Sequence, residues 1–236
     1  MKIKLTLKFT ITFLALTFVM QEAHEIVHTT VGRILCGCWG KRDFNVWELC
    51  SSCDKNPLKY ISTFAGPLFT FIMIWLGYSY LGKTKTTHQK SFGFALIFAN
   101  MPFARLLNPM LGGGDEVVVL MTFFDNYKLS RIIIFTLITL IVFIPLRQCF
   151  LTIENKNRLA WFFLFFIAPV ALDLIIVLGL MNTLLNKKIL SNNWILGSPI
   201  LVTLWTALVV LLFFSTRKNI YSLGKSKTAI NKKTNI

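Results

Sequence analysis

The residues best suited to chemistry form the run His24-Glu25-Ile26-Val27-His28 near the start of the chain. In a helix, side chains four residues apart share a face, so His24 and His28 can present two imidazole nitrogens to one metal ion. Glu25 would lie close enough to act as a base on water at that ion. Zinc is the expected metal, because it is redox-inert and accepts histidine and carboxylate ligands. The run therefore predicts a zinc centre with Glu25 as catalytic base.

A catalytic zinc usually takes three protein ligands, so a third ligand is needed. The best candidate is Asp115, which follows three glycines in the segment Asn-Pro-Met-Leu-Gly-Gly-Gly-Asp-Glu at 108–116. A membrane crossing takes roughly 20 residues, and this count brings Asp115 to the same membrane edge as His28. We predict Asp115 as the third ligand; the alternative is a glycine-rich helix exit with a solvated acid.

Two other acidic residues are alternative third ligands. Asp173 belongs to a later apolar segment and is predicted to lie at about the same depth in the membrane as His24. Glu116 is adjacent to Asp115. Arg105 is the one basic residue placed within a span, and buried charges usually pair. For Asp173 we favour an ion pair with Arg105, or a supporting position behind the ligands, over ligation.

The elements that must position these residues are membrane helices. The chain has 236 residues, of which 55% are hydrophobic and 22 are phenylalanine, and its mean hydropathy is +0.63. A soluble domain of this size could not bury so much apolar surface. The expected fold is an all-α, polytopic helical bundle forming a single integral membrane domain. Its six predicted transmembrane helices are approximately 9–30, 59–81, 92–112, 132–149, 159–182 and 194–214.

The metal-binding run is predicted to lie inside the lipid bilayer. The apolar stretch 9–20 is too short to cross a membrane alone, so the first span must also include His24 and His28. Ionisable residues at that depth are costly and usually functional. The alternative is an amphipathic helix at the membrane edge whose histidines hold no metal.

The charge distribution predicts the topology. The formal net charge of +15 would suit a nucleic-acid-binding protein, but most of the 25 basic residues fall in segments on one side of the predicted spans. This positive-inside bias places both termini in the cytoplasm, with a basic tail at 215–236 near anionic lipid. We expect no nucleic-acid partner and a location in a bacterial cell membrane.

The loop after the first span, 36–58, carries four cysteines on the predicted extracytoplasmic side. They are Cys36, Cys38, Cys50 and Cys53. Two disulfides stapling a cap over the site are the first interpretation. A structural zinc held by all four thiolates is the second, and redox activity of the last pair is the third. Four tryptophans are typical of interfacial anchors: Trp39, Trp47, Trp75 and Trp194.

These motifs resemble the site-2 protease family of intramembrane zinc metalloproteases. The resemblance has three parts in the family's order: HEIVH in the first span, Ala65-Gly66-Pro67 in the second, and the Asn-Pro to Gly-Asp segment closing the third. It covers about residues 20–116. The chain departs from the family pattern at Thr70, where an Asn is usual, and at Glu116, where a Gly is usual.

The resemblance implies hydrolysis of peptide bonds in membrane-protein or peptide substrates. His24, His28 and Asp115 would hold Zn²⁺, and Glu25 would pass a proton from water to the leaving amine. Gly66-Pro67 would open the second helix near the metal, and Asn108 would line the substrate cavity. The core would span 1–116, with accessory helices in 117–214.

Two other functions stay open on the sequence. A transporter-like protein would use the intramembrane Arg105 and Asp173 for ion passage. A catalytically inactive relative would bind membrane partners without cleaving them, which the altered third motif would suit.

Overall fold

The structure, a computed structural model, describes residues 1–224, and these form a bundle of helices. The α-helices are α1 (Leu7–Cys36), α2 (Lys59–Ser79), α3 (Thr87–Ala99), α4 (Pro102–Leu111), α5 (Asp115–Met121), α6 (Tyr127–Thr152), α7 (Arg158–Asp173), α8 (Asn182–Asn186) and α9 (Ile200–Thr216). A π-helical stretch, Leu174–Met181, joins α7 to α8. Short 3₁₀ turns lie at Ser51–Cys53, Ile195–Gly197 and Arg217–Leu223.

Five helical segments are long and apolar enough to cross a membrane. They are Lys59–Ser79, Thr87–Leu111, Tyr127–Thr152, Arg158–Asn186 and Ile200–Leu223. The predicted all-α membrane bundle is thereby confirmed, and the protein is a multi-pass membrane protein. The remaining predicted span is the first in the chain and corresponds to α1, which is 30 residues long. It is not among these five, because polar residues occupy its second half.

Helix α1 is sheltered by other helices, which explains how it carries that polar half. It packs against α2, α3, α7 and α9. Its polar side chains therefore meet protein rather than lipid, as buried polar groups in a membrane require. The buried ones include Glu22, His24, Glu25, His28 and Thr29.

A cluster of aromatic rings fixes α1 against α3 and α7. The centroid of the Phe165 ring lies between 5.0 and 6.1 Å from the rings of four other phenylalanines: Phe9, Phe13, Phe94 and Phe98. Most of these contacts are edge-to-face, which is a favourable geometry for aromatic pairs. The cluster locates α1, and hence the metal-binding run, relative to the helices that face it.

The third predicted span is not one helix but two, α3 and α4, broken at Met101. This residue has a left-handed backbone with φ 46°, and Pro102 starts the next helix. Proline disfavours helical conformation in the residue before it and is itself well tolerated in a first turn. Helix α4, which follows the break, carries Arg105 and Asn108, and both line the cavity described below.

Two further boundaries differ from prediction at the end of the chain. The last span begins at Ile200 rather than 194. Residues 217–223 of the expected basic tail pack against α1 and α3, with Ile220 and Leu223 buried. That part is held by apolar burial, and its nearness to anionic lipid stays a prediction. The rest of the tail, 225–236, lies outside the described residues.

Candidate metal centre

Three side chains converge in the interior: His24, His28 and Asp115. The two histidine Nε2 atoms are 3.0 Å apart, and the Asp115 Oδ2 lies 3.5 Å from the first and 3.4 Å from the second. Ligands held at ~2.0–2.1 Å around a tetrahedral zinc are about 3.3 Å apart. The triangle of donor atoms therefore has the dimensions of a zinc site. Among residues 1–224, no other set of three histidine, cysteine or acidic side chains lies close enough together to share one ion.

Local structure explains how these three side chains meet. His24 and His28 are one turn apart on α1, so their rings lie on the same face. Asp115 is the first residue of α5, after a turn in which Gly112 and Gly114 have φ of 96° and 103°. Those values are accessible to glycine at little cost. The glycine-rich turn thus delivers the carboxylate to the histidine pair, as predicted.

The second nitrogen of each histidine is already engaged. The Ser62 carbonyl oxygen lies 2.7 Å from His28 Nδ1, and a carbonyl can only accept a hydrogen bond. In the neutral ring the proton of His28 is therefore on Nδ1, which leaves a lone pair on Nε2. The Thr70 hydroxyl lies 2.9 Å from His24 Nδ1 and, when it accepts, leaves a second lone pair facing the first. Such a set of electron-rich atoms suits a shared cation.

Replacing Thr70 by valine should weaken zinc binding by about 10- to 100-fold, the usual cost of losing a hydrogen bond behind a metal-bound histidine. Valine keeps the shape of threonine but cannot hold the His24 ring. Competition with a fluorescent zinc chelator would measure the change. Thr136→Val, at an exposed position of α6, is the matched control. Equal zinc affinity in the two variants would contradict this role of Thr70.

The His28 ring is packed on two sides. Trp47 stacks on it, with ring centroids 4.5 Å apart and planes inclined by 13°. On the α2 side, Gly66 has no side chain, and a Cβ there would lie 2.2 Å from His28 Nε2. Gly66 was predicted to open α2 near the metal; in the structure its missing side chain makes room for the histidine. Pro67 is buried beside it within α2.

The segment 37–58, which we call the cap, reaches into the bundle. Two disulfides close it, Cys36–Cys53 and Cys38–Cys50, so the four cysteines do not form the alternative zinc site. Between them the chain turns back on itself at Arg42–Trp47, and Phe44 at its tip is fully buried. This turn carries Trp47 to His28, so Trp47 is a packing residue of the site rather than an interfacial anchor.

A buried ion pair holds the cap to α1. Arg42 Nη1 donates to Glu22 Oε2 at 2.9 Å, and each side chain is only 2% exposed. The pair is completed from the last part of the chain, where Thr206 donates to the same carboxylate oxygen and Ser198 accepts from Arg42 Nε. Arg42 is therefore buried in the bundle although it belongs to the loop between α1 and α2.

A cavity of about 520 Å³ adjoins the metal-binding group. His24, Glu25 and Asp115 line it together with Asn108, which was predicted to do so. Glu25 is buried, and its Oε2 has no hydrogen-bond partner among the described residues. A buried carboxylate oxygen without a partner is costly unless it serves another purpose. The cavity thus brings the predicted base and two predicted ligands to one space.

The predicted ion pair between Arg105 and Asp173 is not formed. Arg105 Nη1 lies 3.8 Å from Asp115 Oδ2 and 3.6 Å from Glu116 Oε1, and its Nη2 lies 3.5 Å from His24. The guanidinium thus lies beside two carboxylates of the first turn of α5. Glu116 therefore pairs with Arg105 and is not grouped with the histidines as a ligand, and neither is Asp173.

The last three spans were expected to be accessory, but two of them contribute to the site. Val170, Asp173, Leu174 and Leu178 form one wall of the cavity. Helix α9 packs on α1 and provides Thr206 to the buried ion pair. The helices after residue 116 therefore help to shape and hold the centre.

Sequence reasoning did not assign Ser62 or Arg42 to the site, took Trp47 for an interfacial anchor, and noted Thr70 only as a departure from a motif. Ser62 contributes a backbone atom, which no pattern of side chains could reveal. Thr70 and Ser62 lie eight residues apart on α2, two turns, so both can face α1. That spacing was the available signal for a helix face serving the two histidines.

No protein-family model, curated protein or solved structure matches this chain. The resemblance to site-2 proteases therefore remains a prediction based on three short motifs.

Proposed function

We propose that the protein is a membrane-embedded zinc metallopeptidase that hydrolyses peptide bonds of membrane-associated substrates. The observation that carries this proposal is the convergence of His24, His28 and Asp115 at zinc-site distances beside a cavity that Glu25 also lines. When bound, zinc supplies Lewis acidity and makes water a better nucleophile near neutral pH.

Glu25 is the general base in this proposal. It takes a proton from the attacking water and returns the proton to the amine that leaves. Its burial and its unpaired Oε2 support this assignment, because a carboxylate oxygen without a hydrogen-bond partner is available to accept a proton.

Arg105 is the positive group available to the carbonyl oxygen of the scissile bond. It lines the cavity, and its Nη1 has ion-pair neighbours but no hydrogen bond among the described residues. A donor placed where negative charge develops stabilises a transition state more than the ground state. Arg105 would also hold Asp115 in position.

The placement in the membrane is part of the proposal. In this proposal helix α1 also crosses the membrane, which brings the number of spans to six and leaves both termini in the cytoplasm. The centre opens toward the outer half of a bacterial cell membrane. The bias of basic residues supports this orientation. The disulfides of the cap support it as well, since disulfides persist in oxidising compartments.

The test compares metal content and cleavage in the full chain reconstituted in lipid nanodiscs. A library of hydrophobic peptides, read by mass spectrometry, serves as the substrate probe. We expect one zinc per chain, with cleavage lost on chelation and restored by zinc. His28→Ala should lose both zinc and cleavage, while His88→Ala, at an exposed position, should keep both. Cleavage by the zinc-free protein, or full zinc occupancy in His28→Ala, would contradict the proposal.

A further inference from the structure

The wall of the cavity formed by α7 contains one carboxyl group, that of Asp173. It lines the same space as His24 and Glu25. Arg105 ion-pairs with Asp115 and Glu116, and Arg42 ion-pairs with Glu22. Asp173 has no such partner: among residues 1–224 it forms no ion pair, and its Oδ1 accepts no hydrogen bond. Only the Gln21 amide lies within hydrogen-bonding reach.

An unpaired carboxylate in a membrane-spanning helix is costly and is retained where it serves a function. Asp173 belongs to the apolar segment Arg158–Asn186. Leucine at this position would pack against the neighbouring apolar residues without that cost. A positively charged group that enters the cavity would remove this cost.

The backbone around Asp173 is also unusual. The π-helical stretch Leu174–Met181 begins directly after it. π-Helical turns are rare and occur frequently at functional sites. In this stretch Leu174 and Leu178 are about one π-turn apart, and both line the cavity together with Asp173. The widened helix thus presents a carboxylate flanked by apolar side chains.

We propose that Asp173 forms a substrate subsite for a cationic group, an ammonium or guanidinium, carried by the peptide near the bond to be cleaved. The inference rests on the proposed peptidase function, whose substrate class it specifies. The apolar neighbours suit the methylene stem of a lysine or arginine, whose charged end then reaches Asp173. At the metal end of the cavity Arg105 repels a cation. The two charges therefore orient the peptide.

The test measures peptide binding, which does not depend on turnover. The full chain carrying Glu25→Gln, in lipid nanodiscs, is titrated with fluorescent, N-acetylated hydrophobic peptides. Each peptide carries one test residue: lysine, glutamate, or norleucine, which is neutral and similar in size to lysine. The position of the test residue is varied along the peptide. We expect the best lysine peptide to bind roughly tenfold or more tightly than its norleucine partner. Adding Asp173→Asn should remove this preference and leave norleucine binding unchanged, and Asp173→Lys should favour glutamate.

Each result decides between alternatives. The norleucine peptide is also titrated without its acetyl group: if it binds tightly only in that form, the subsite holds the amino terminus of the peptide, in keeping with the proposal. Equal binding of lysine and norleucine peptides by the protein with Asp173 intact would overturn it, even if Asp173→Asn does not fold. A lysine preference that survives Asp173→Asn would also overturn it. Cleavage is scored separately on the wild type: hydrolysis without a lysine preference rejects only the subsite. Asp173-dependent lysine binding without hydrolysis of any peptide rejects only the peptidase.

Discussion

Glu25→Gln is expected to lower the rate of peptide hydrolysis by about 10²- to 10⁴-fold, the contribution usual for a general acid–base group. Glutamine has nearly the same shape but accepts no proton at neutral pH. Glu25 lines the cavity beside His24 and Asp115 without being one of the three grouped donors. Zinc content should therefore remain at one per chain.

Single-turnover cleavage of a peptide found in the wild-type screen would measure the rate, and elemental analysis would measure zinc. Glu48→Gln, on the exposed part of the cap, is the matched control and should cleave at the wild-type rate. Wild-type cleavage by Glu25→Gln would remove Glu25 as the base. Loss of zinc in this variant would instead place Glu25 among the ligands.

Gly66→Ala is expected to reduce zinc affinity by roughly 100-fold or more and to lower the free energy of unfolding by about 1–3 kcal/mol, the usual range for overpacking. An alanine in a helix interior is normally stabilising by about 0.5–1 kcal/mol relative to glycine. Here the added Cβ would lie 2.2 Å from His28 Nε2. The ring cannot easily move away, because the Ser62 carbonyl and the Trp47 ring hold it. The steric term therefore outweighs the gain in helix propensity.

Chelator competition and thermal unfolding in detergent would measure the two effects of Gly66→Ala. The control is Gly82→Ala, in the connection between α2 and α3, where the nearest atom to a new Cβ is 3.7 Å away. It should change neither quantity. Zinc affinity in Gly66→Ala equal to that of this control would mean that the His28 ring is not confined as described.

The helical membrane fold was predictable because its causes are local. Apolar runs of sufficient length require helices in lipid, and these were visible from composition and spacing. The convergence of His24, His28 and Asp115 also followed from counting residues along two spans. Both inferences depend only on helix geometry and membrane thickness, which are the same for every sequence.

The predictions that failed depended on packing between distant segments. Arg105 was paired with Asp173 because both were placed within spans and buried charges usually pair, but in the structure Asp115 and Glu116 are its acidic neighbours. Trp47 was read as an interfacial anchor, because no sequence pattern showed that the cap folds back onto His28. Counting residues along a span gives only the position of a side chain along the membrane normal. A contact also depends on how the helices are arranged within the membrane plane.

The buried pair of Glu22 and Arg42 has a consequence for biosynthesis. Thr206, which donates to Glu22, comes 184 residues later in the chain. At about 5–20 residues per second, translation supplies it roughly 10 to 40 seconds after Glu22. During that interval the carboxylate has Arg42 alone, and the side of α1 that α9 covers is open. A chain halted before residue 200 is therefore expected to be more sensitive to proteolysis than the full chain, which limited proteolysis of the two would measure.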